Sequence, residues 1–165
     1  MQKWLQSTLW RLTLRLKRKA YWLQLVVLLL SSFVVILSVL PFIYLTDFVF
    51  GENNSGPEVR TWFWVILAVP FLETLLFQHL PFRLMQCWKR TKANGGWFIF
   101  VSAFLFGISH CYSLQYILFA FSVGIVLGYT YFFYSKRPVL AFWSTTLIHG
   151  MKNLVSVFLL FAGSS

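Results

Sequence analysis

Carboxylates are nearly absent from this chain. Its 165 residues include four acids, Asp47, Glu52, Glu58 and Glu73, against fourteen lysines and arginines. Charge of either sign is scarce, at 11%, which excludes the surface of a soluble globular domain, where about a quarter of residues are charged. There are two cysteines, Cys87 and Cys111, with no metal-type spacing. They argue against a disulfide framework or a cysteine-based zinc fold. No internal repeat and no low-complexity tract is evident, so a solenoid is excluded.

What fills the chain is apolar: 59% hydrophobic and 21% aromatic. This is the composition of a polytopic membrane protein with one helical bundle. The net charge of +10 does not point to nucleic acid, because the bases lie in short clusters between apolar runs, as membrane orientation requires. Residues 1–20 read as a basic amphipathic segment. Leu5, Leu9, Leu12 and Leu16 fall at helical spacing beside six bases, with Trp4 and Trp10 as interfacial anchors. Such a segment either lies on an anionic leaflet or serves as a plain topogenic tail.

Residues 21–45 are too long an apolar run for a signal peptide and read as an uncleaved first transmembrane helix. The loop 46–60 holds Asp47, Glu52, Glu58 and Arg60. A second helix is expected over 61–82, followed by a basic loop 83–96 with Arg83, Lys89, Arg90 and Lys92. The charge-free stretch 97–135 exceeds one span of about 20 residues, so it splits near Cys111–Gln115 into a third and a fourth helix. After Lys136-Arg137-Pro138, a fifth helix covers 139–161. Twelve of the fourteen bases then fall on one side, which makes the N-terminus cytoplasmic by the positive-inside rule. The expectation is an all-α bundle of about five transmembrane spans, with four of them in 61–161.

Glu73 lies in the middle of the second apolar stretch. An acid there costs about 2.5–3.5 kcal/mol even on the lenient insertion scale, and such residues face a bundle interior and act in function. Candidate companions are His110 on the third helix and His149 with Asn153, four apart on one face of the fifth. A carboxylate and two imidazoles can ligate a divalent metal with an open water position. They can also activate water directly, with His and Asn donating to an oxyanion. His79 lies six residues past Glu73, about 240° round an ideal helix, and precedes Pro81. It reads as structural, with a carbonyl freed near the proline as its partner.

Three motifs run in order: Glu73-Thr74-Leu75-Leu76-Phe77-Gln78, Phe106-Gly107-Ile108-Ser109-His110 and His149-Gly150-Met151-Lys152-Asn153. Together they resemble the CAAX-processing and bacteriocin-processing (CPBP, or Abi) family of intramembrane endopeptidases. That family shows Glu-Glu-x-x-x-Arg, Phe-x-x-x-His and His-x-x-x-Asn on separate helices, with a motif-free helix before the last. The resemblance covers about 62–161. It implies that Glu73 and His110 activate water, and that His149 and Asn153 complete the site as metal-site partners or as an oxyanion hole. If a metal is used, Glu73, His110 and His149 are its implied ligands, with zinc the example. Family members have been described both as metalloproteases and as metal-independent glutamate proteases. The resemblance also implies a membrane-associated peptide or protein as substrate, membrane lipid as surroundings and, for small bacterial members, a plasma-membrane location with links to bacteriocin maturation or self-immunity.

The chain departs from that pattern at two positions. Thr74 stands for the second Glu and Gln78 for the Arg. They are four apart, so a family ion pair is replaced by two neutral groups, and a Thr–Gln contact is expected in its stead. Lys152 is a further oddity. A mid-span lysine needs a partner, either Glu73 across the site or water in a pocket. Gly124 and Gly128 predict a close helix contact inside the bundle, and Pro70 predicts a kink that opens room for water beside Glu73. Two readings rival the protease. One is a non-catalytic member acting in immunity or as a scaffold, and the other is a small proton or cation transporter using Glu73 and the histidines as a relay.

Overall fold

The computed structural model describes residues 11–50, 63–87 and 95–163. Residues 1–10, the acids Glu52 and Glu58, Arg60, and the loop bases Lys89, Arg90 and Lys92 lie outside them. The described residues form helices and turns, with no strand among them. A short helical segment over 11–17 precedes five helices: α1 (Tyr21–Phe50), α2 (Trp64–Cys87), α3 (Gly95–Ile108), α4 (Leu114–Phe133) and α5 (Pro138–Gly163).

Helices α1, α2 and α4 each contain a stretch long and apolar enough to cross a membrane, while α3 is apolar but shorter. The architecture is that of a helical membrane bundle. α1 is apolar all round and exposes Trp22, Leu30, Val34, Leu37 and Phe42, as a lipid-facing helix does. It continues past Leu45 to Phe50, so Asp47 belongs to a helix end and not to a loop. α2 runs to Cys87, which puts Arg83 in the helix as well. Cys87 and Cys111 are exposed free thiols.

α4 is the centre of the bundle. It touches α1, α3, α5 and the middle of α2, and its Leu127 and Tyr131 are almost fully buried. In lipid no hydrophobic force drives helices together, so small residues that admit close approach decide the contacts. Gly124 and Gly128 do this against α3: a Cβ at Gly124 would stand 2.8 Å from Ala103 Cα, and one at Gly128 would stand 3.3 Å from Ile99 Cα. The two glycines therefore make an internal contact, as expected. Gly124→Ala should destabilise the fold by about 1–3 kcal/mol, the usual range for overpacking, and thermal unfolding in detergent will read it as a lowered midpoint.

The basic segments gather at one end of the bundle. Thr13 Oγ1 and Tyr129 Oη share a 2.8 Å hydrogen bond, and Lys17 Nζ lies 5.0 Å over the Phe133 ring. Burial, and then the like charge of Lys136, hold the Lys17 pKa below the ordinary lysine value. The N-terminal helical segment thus docks on the end of α4. Gly95 opens α3 two residues earlier than expected, because the absent side chain leaves room for the Phe132 ring.

α2 is not a regular α-helix. Trp64–Ala68 and Thr74–His79 are π-helical, with Val69 N–H bonded to Trp64 O and Leu80 N–H bonded to Leu75 O. Each wide turn is followed by a proline, Pro70 or Pro81. Proline offers no N–H to the ladder and its ring crowds the preceding turn, and a π turn relieves both strains. The kink expected at Pro70 therefore takes the form of two widened turns flanking Glu73.

Candidate functional site

Glu73 ends the α-helical piece Val69–Glu73 between the two π turns, and its carboxylate meets both expected histidines. His110 Nε2 lies 3.2 Å from Oε1 and His149 Nε2 lies 3.4 Å from Oε2. Exposure of the side chains is 17% for Glu73, 18% for His110 and 4% for His149. The two imidazoles give the carboxylate polar neighbours, so the acid is not isolated among apolar side chains.

His110 is brought in by a break between two helices. α3 ends at Ile108, and a tight turn follows in which His110 N–H bonds Gly107 O at 3.1 Å and Tyr112 N–H bonds His110 O at 2.8 Å. Ser113 then caps α4, its Oγ accepting from Tyr116 N–H at 3.1 Å. The turn at 109–113 falls at the expected split. The Phe-x-x-x-His spacing does its work through the backbone: His110 Nδ1 lies 2.7 Å from Phe106 O. A carbonyl only accepts, so Nδ1 carries a hydrogen and Nε2 is the nitrogen that shares a proton with Glu73. The Phe106 ring sits between the two imidazoles, 4.6 Å from His110 and 5.5 Å from His149.

Asn153 lines the same cavity, but its amide is engaged. Nδ2 donates to Val65 O at 2.9 Å, and Oδ1 accepts from Lys152 Nζ at 3.4 Å. Val65 O stands five residues before Pro70, so in the π ladder its donor would be the N–H that proline lacks. Asn153 supplies that donor and fastens α5 to α2. Gly150 makes the approach possible, since a Cβ there would stand 2.6 Å from Ile66 O. In this structure the Asn153 amide clamps α5 to α2.

The four residues wall a cavity of about 760 Å³. α4, which carries no motif, contributes Tyr116, Phe119 and Val123 to it. Residue-by-residue motif reading missed these, although Tyr116, Phe119 and Val123 fall on one helical face. Lys152, 7% exposed, also lines the cavity, as does Glu73. Thr74 and Gln78 are fully buried and take no part in the lining. The expected Thr–Gln contact is not made: Gln78 Nε2 donates to Ser102 Oγ at 3.4 Å, while Thr74 Oγ1 and Gln78 Oε1 have no partner among the described residues. His79 Nδ1 lies 2.7 Å from Tyr131 Oη. Its role is structural, with a hydroxyl as partner where a carbonyl was expected.

Zinc would need three protein donors around one point with a fourth position open. Among the described residues no three His, Cys, Asp or Glu side chains are arranged to hold a metal ion. The two Nε2 atoms stand beside opposite oxygens of one carboxylate. The donor types suit zinc, but their placement is not a preformed cage.

Residues 55–155 match the family model described as Type II CAAX prenyl endopeptidase Rce1-like. No curated protein and no solved structure matches the chain.

Proposed function

The chain belongs to the Rce1-like family of type II CAAX prenyl endopeptidases, and from that premise we propose that its bundle hydrolyses a peptide bond near the prenylated C-terminus of a membrane-associated substrate. It is an integral membrane protein. The reading places the end that gathers the basic segments in the cytoplasm.

The observation that carries the proposal is one carboxylate held by two imidazoles on the wall of a cavity large enough for a peptide. In the proposed reaction a water seated against Glu73 loses a proton to the carboxylate as its oxygen bonds to the scissile carbonyl carbon. His149 Nε2–H donates to the oxygen that gains charge. The C–N bond then breaks as the proton held between Glu73 and His110 passes to the departing amine, leaving a carboxylic acid and an amine. Phe106 O keeps His110 in the tautomer this needs. No step of this route runs through a metal. Thr74 and Gln78 lie off the cavity, so the neutral pair that replaces the family's charged one supports α2 without touching the chemistry.

The test is cleavage of an S-farnesylated peptide by the reconstituted protein. His110→Ala is expected to lower the rate about 10²- to 10⁴-fold, the range for loss of a positioned acid–base group, and prolonged dialysis against a chelator is expected to leave the wild-type rate unchanged. Cleavage that survives His110→Ala would hand the chain to the scaffold reading. Loss on dialysis with recovery on adding zinc would replace the direct route by a metal-assisted one.

A further inference from the structure

Lys152 brings a cationic side chain to the cavity lining, and the chemistry above does not use it. It projects from the middle of α5, 7% exposed, into the space that Glu73, His110 and His149 also face. A buried ammonium is stable only when its charge is met. Here Nζ has one hydrogen bond, to the neutral Asn153 Oδ1 at 3.4 Å, and the Phe119 ring face at 4.8 Å. Asn153 cannot turn to offer anything else, because Val65 O holds its other end. No carboxylate lies within 4.0 Å of Nζ among the described residues, and Glu73 is already engaged by both histidines. An ammonium carries three donors, and at least one remains for whatever enters the cavity.

We infer that Lys152 is the receptor for the C-terminal carboxylate of the substrate peptide. The inference rests on the proposed hydrolase reading, and it adds the feature that makes the site specific for chain ends. Lys152 stands three residues after His149, so their Cβ atoms are about 5–6 Å apart, and the long lysine side chain adds further reach. A carboxylate held there lies two to three extended residues, at about 3.3–3.6 Å each, from a carbonyl set against Glu73 and His149. The bond cut is then a short, fixed distance from the end of the chain. The apolar walls from Val65, Val69 and Val123 suit the side chains between the two points.

The experiment compares an S-farnesylated tetrapeptide bearing a free carboxylate with its C-terminal amide, for binding and for cleavage. The protein is held in nanodiscs of zwitterionic lipid, which keeps anionic headgroups from competing. Wild type is expected to bind the acid about 10- to 100-fold more tightly than the amide, the strength of a desolvated charge-assisted hydrogen bond. Lys152→Met should weaken the acid to the level of the amide and leave the amide unchanged. Lys152→Arg should keep most of the preference, which a purely structural lysine would not require. Equal affinity for acid and amide in the wild type, a preference that persists in Lys152→Met, or binding of neither peptide would overturn the inference. The two ideas fail separately: cleavage of acid and amide alike removes the carboxylate receptor and leaves the hydrolase, whereas a strong acid preference with no cleavage removes the hydrolase and leaves the receptor.

Discussion

Glu73→Gln is expected to lower peptide cleavage about 10³- to 10⁴-fold, toward the upper end of what a general base contributes, while leaving the bundle folded. The substitution keeps the shape of the side chain and removes its charge and its capacity to take a proton. Folding should survive because the Gln amide can meet both rings. His110 Nδ1–H is held by Phe106 O, which leaves Nε2 to accept from the Gln NH2, while the Gln oxygen accepts from His149 Nε2–H. An unchanged thermal midpoint beside a collapsed rate is the signature. Glu73→Asp, which withdraws the carboxylate from both rings, should keep the base but lose its placement and fall between the two. A rate within tenfold of wild type for Glu73→Gln would remove the proposed base.

How much of this was legible beforehand depended on whether a residue's role is chemical or geometric. Glu73 stood out because a carboxylate in an apolar stretch has few reasons to be there, and His110 and His149 followed because few other groups could accompany it. Asn153 was found, but not the contact it makes. Its partner is a backbone carbonyl freed by Pro70 within a π turn, and neither helical spacing nor composition marks which carbonyl loses its donor. The break between α3 and α4 was placed near the correct residues only because 97–135 is too long for one span. What sets it is local: the Ser113 cap and the turn bonds around His110. α4 looked like filler because it carries no titratable motif, yet as the central helix it supplies Tyr116 and Phe119 to the cavity. Partner choice for Gln78 and His79 was missed for the same reason. Ser102 and Tyr131 lie on other helices, and only packing brings them near.

Gly150→Ala should cost about 10²-fold in turnover, although the residue has no functional group. A Cβ at this position would stand 2.6 Å from Ile66 O, whereas ordinary contact begins near 3.4 Å. The obstacle is a backbone carbonyl in the first π turn of α2, which cannot rotate away as a side chain could. α5 and α2 must therefore separate by close to 1 Å, and a misplacement of that size costs about 10²-fold in a positioned site. The damage falls where the chemistry is. His149 immediately precedes Gly150, its Nε2 would draw back from a 3.4 Å contact with Glu73, and the 2.9 Å Asn153–Val65 bond would stretch with it. Gly124→Ala meets a similar obstacle where α4 crosses α3 and is expected to act chiefly on the unfolding midpoint. Gly150→Ala is expected to lower kcat out of proportion to any change in midpoint, with peptide binding weakened less because Lys152 keeps its Phe119 and Asn153 neighbours. Turnover of Gly150→Ala within a few-fold of wild type at a temperature where both are folded would show that the α2–α5 contact tolerates the shift, and that the spacing of Glu73 and His149 does not limit the reaction.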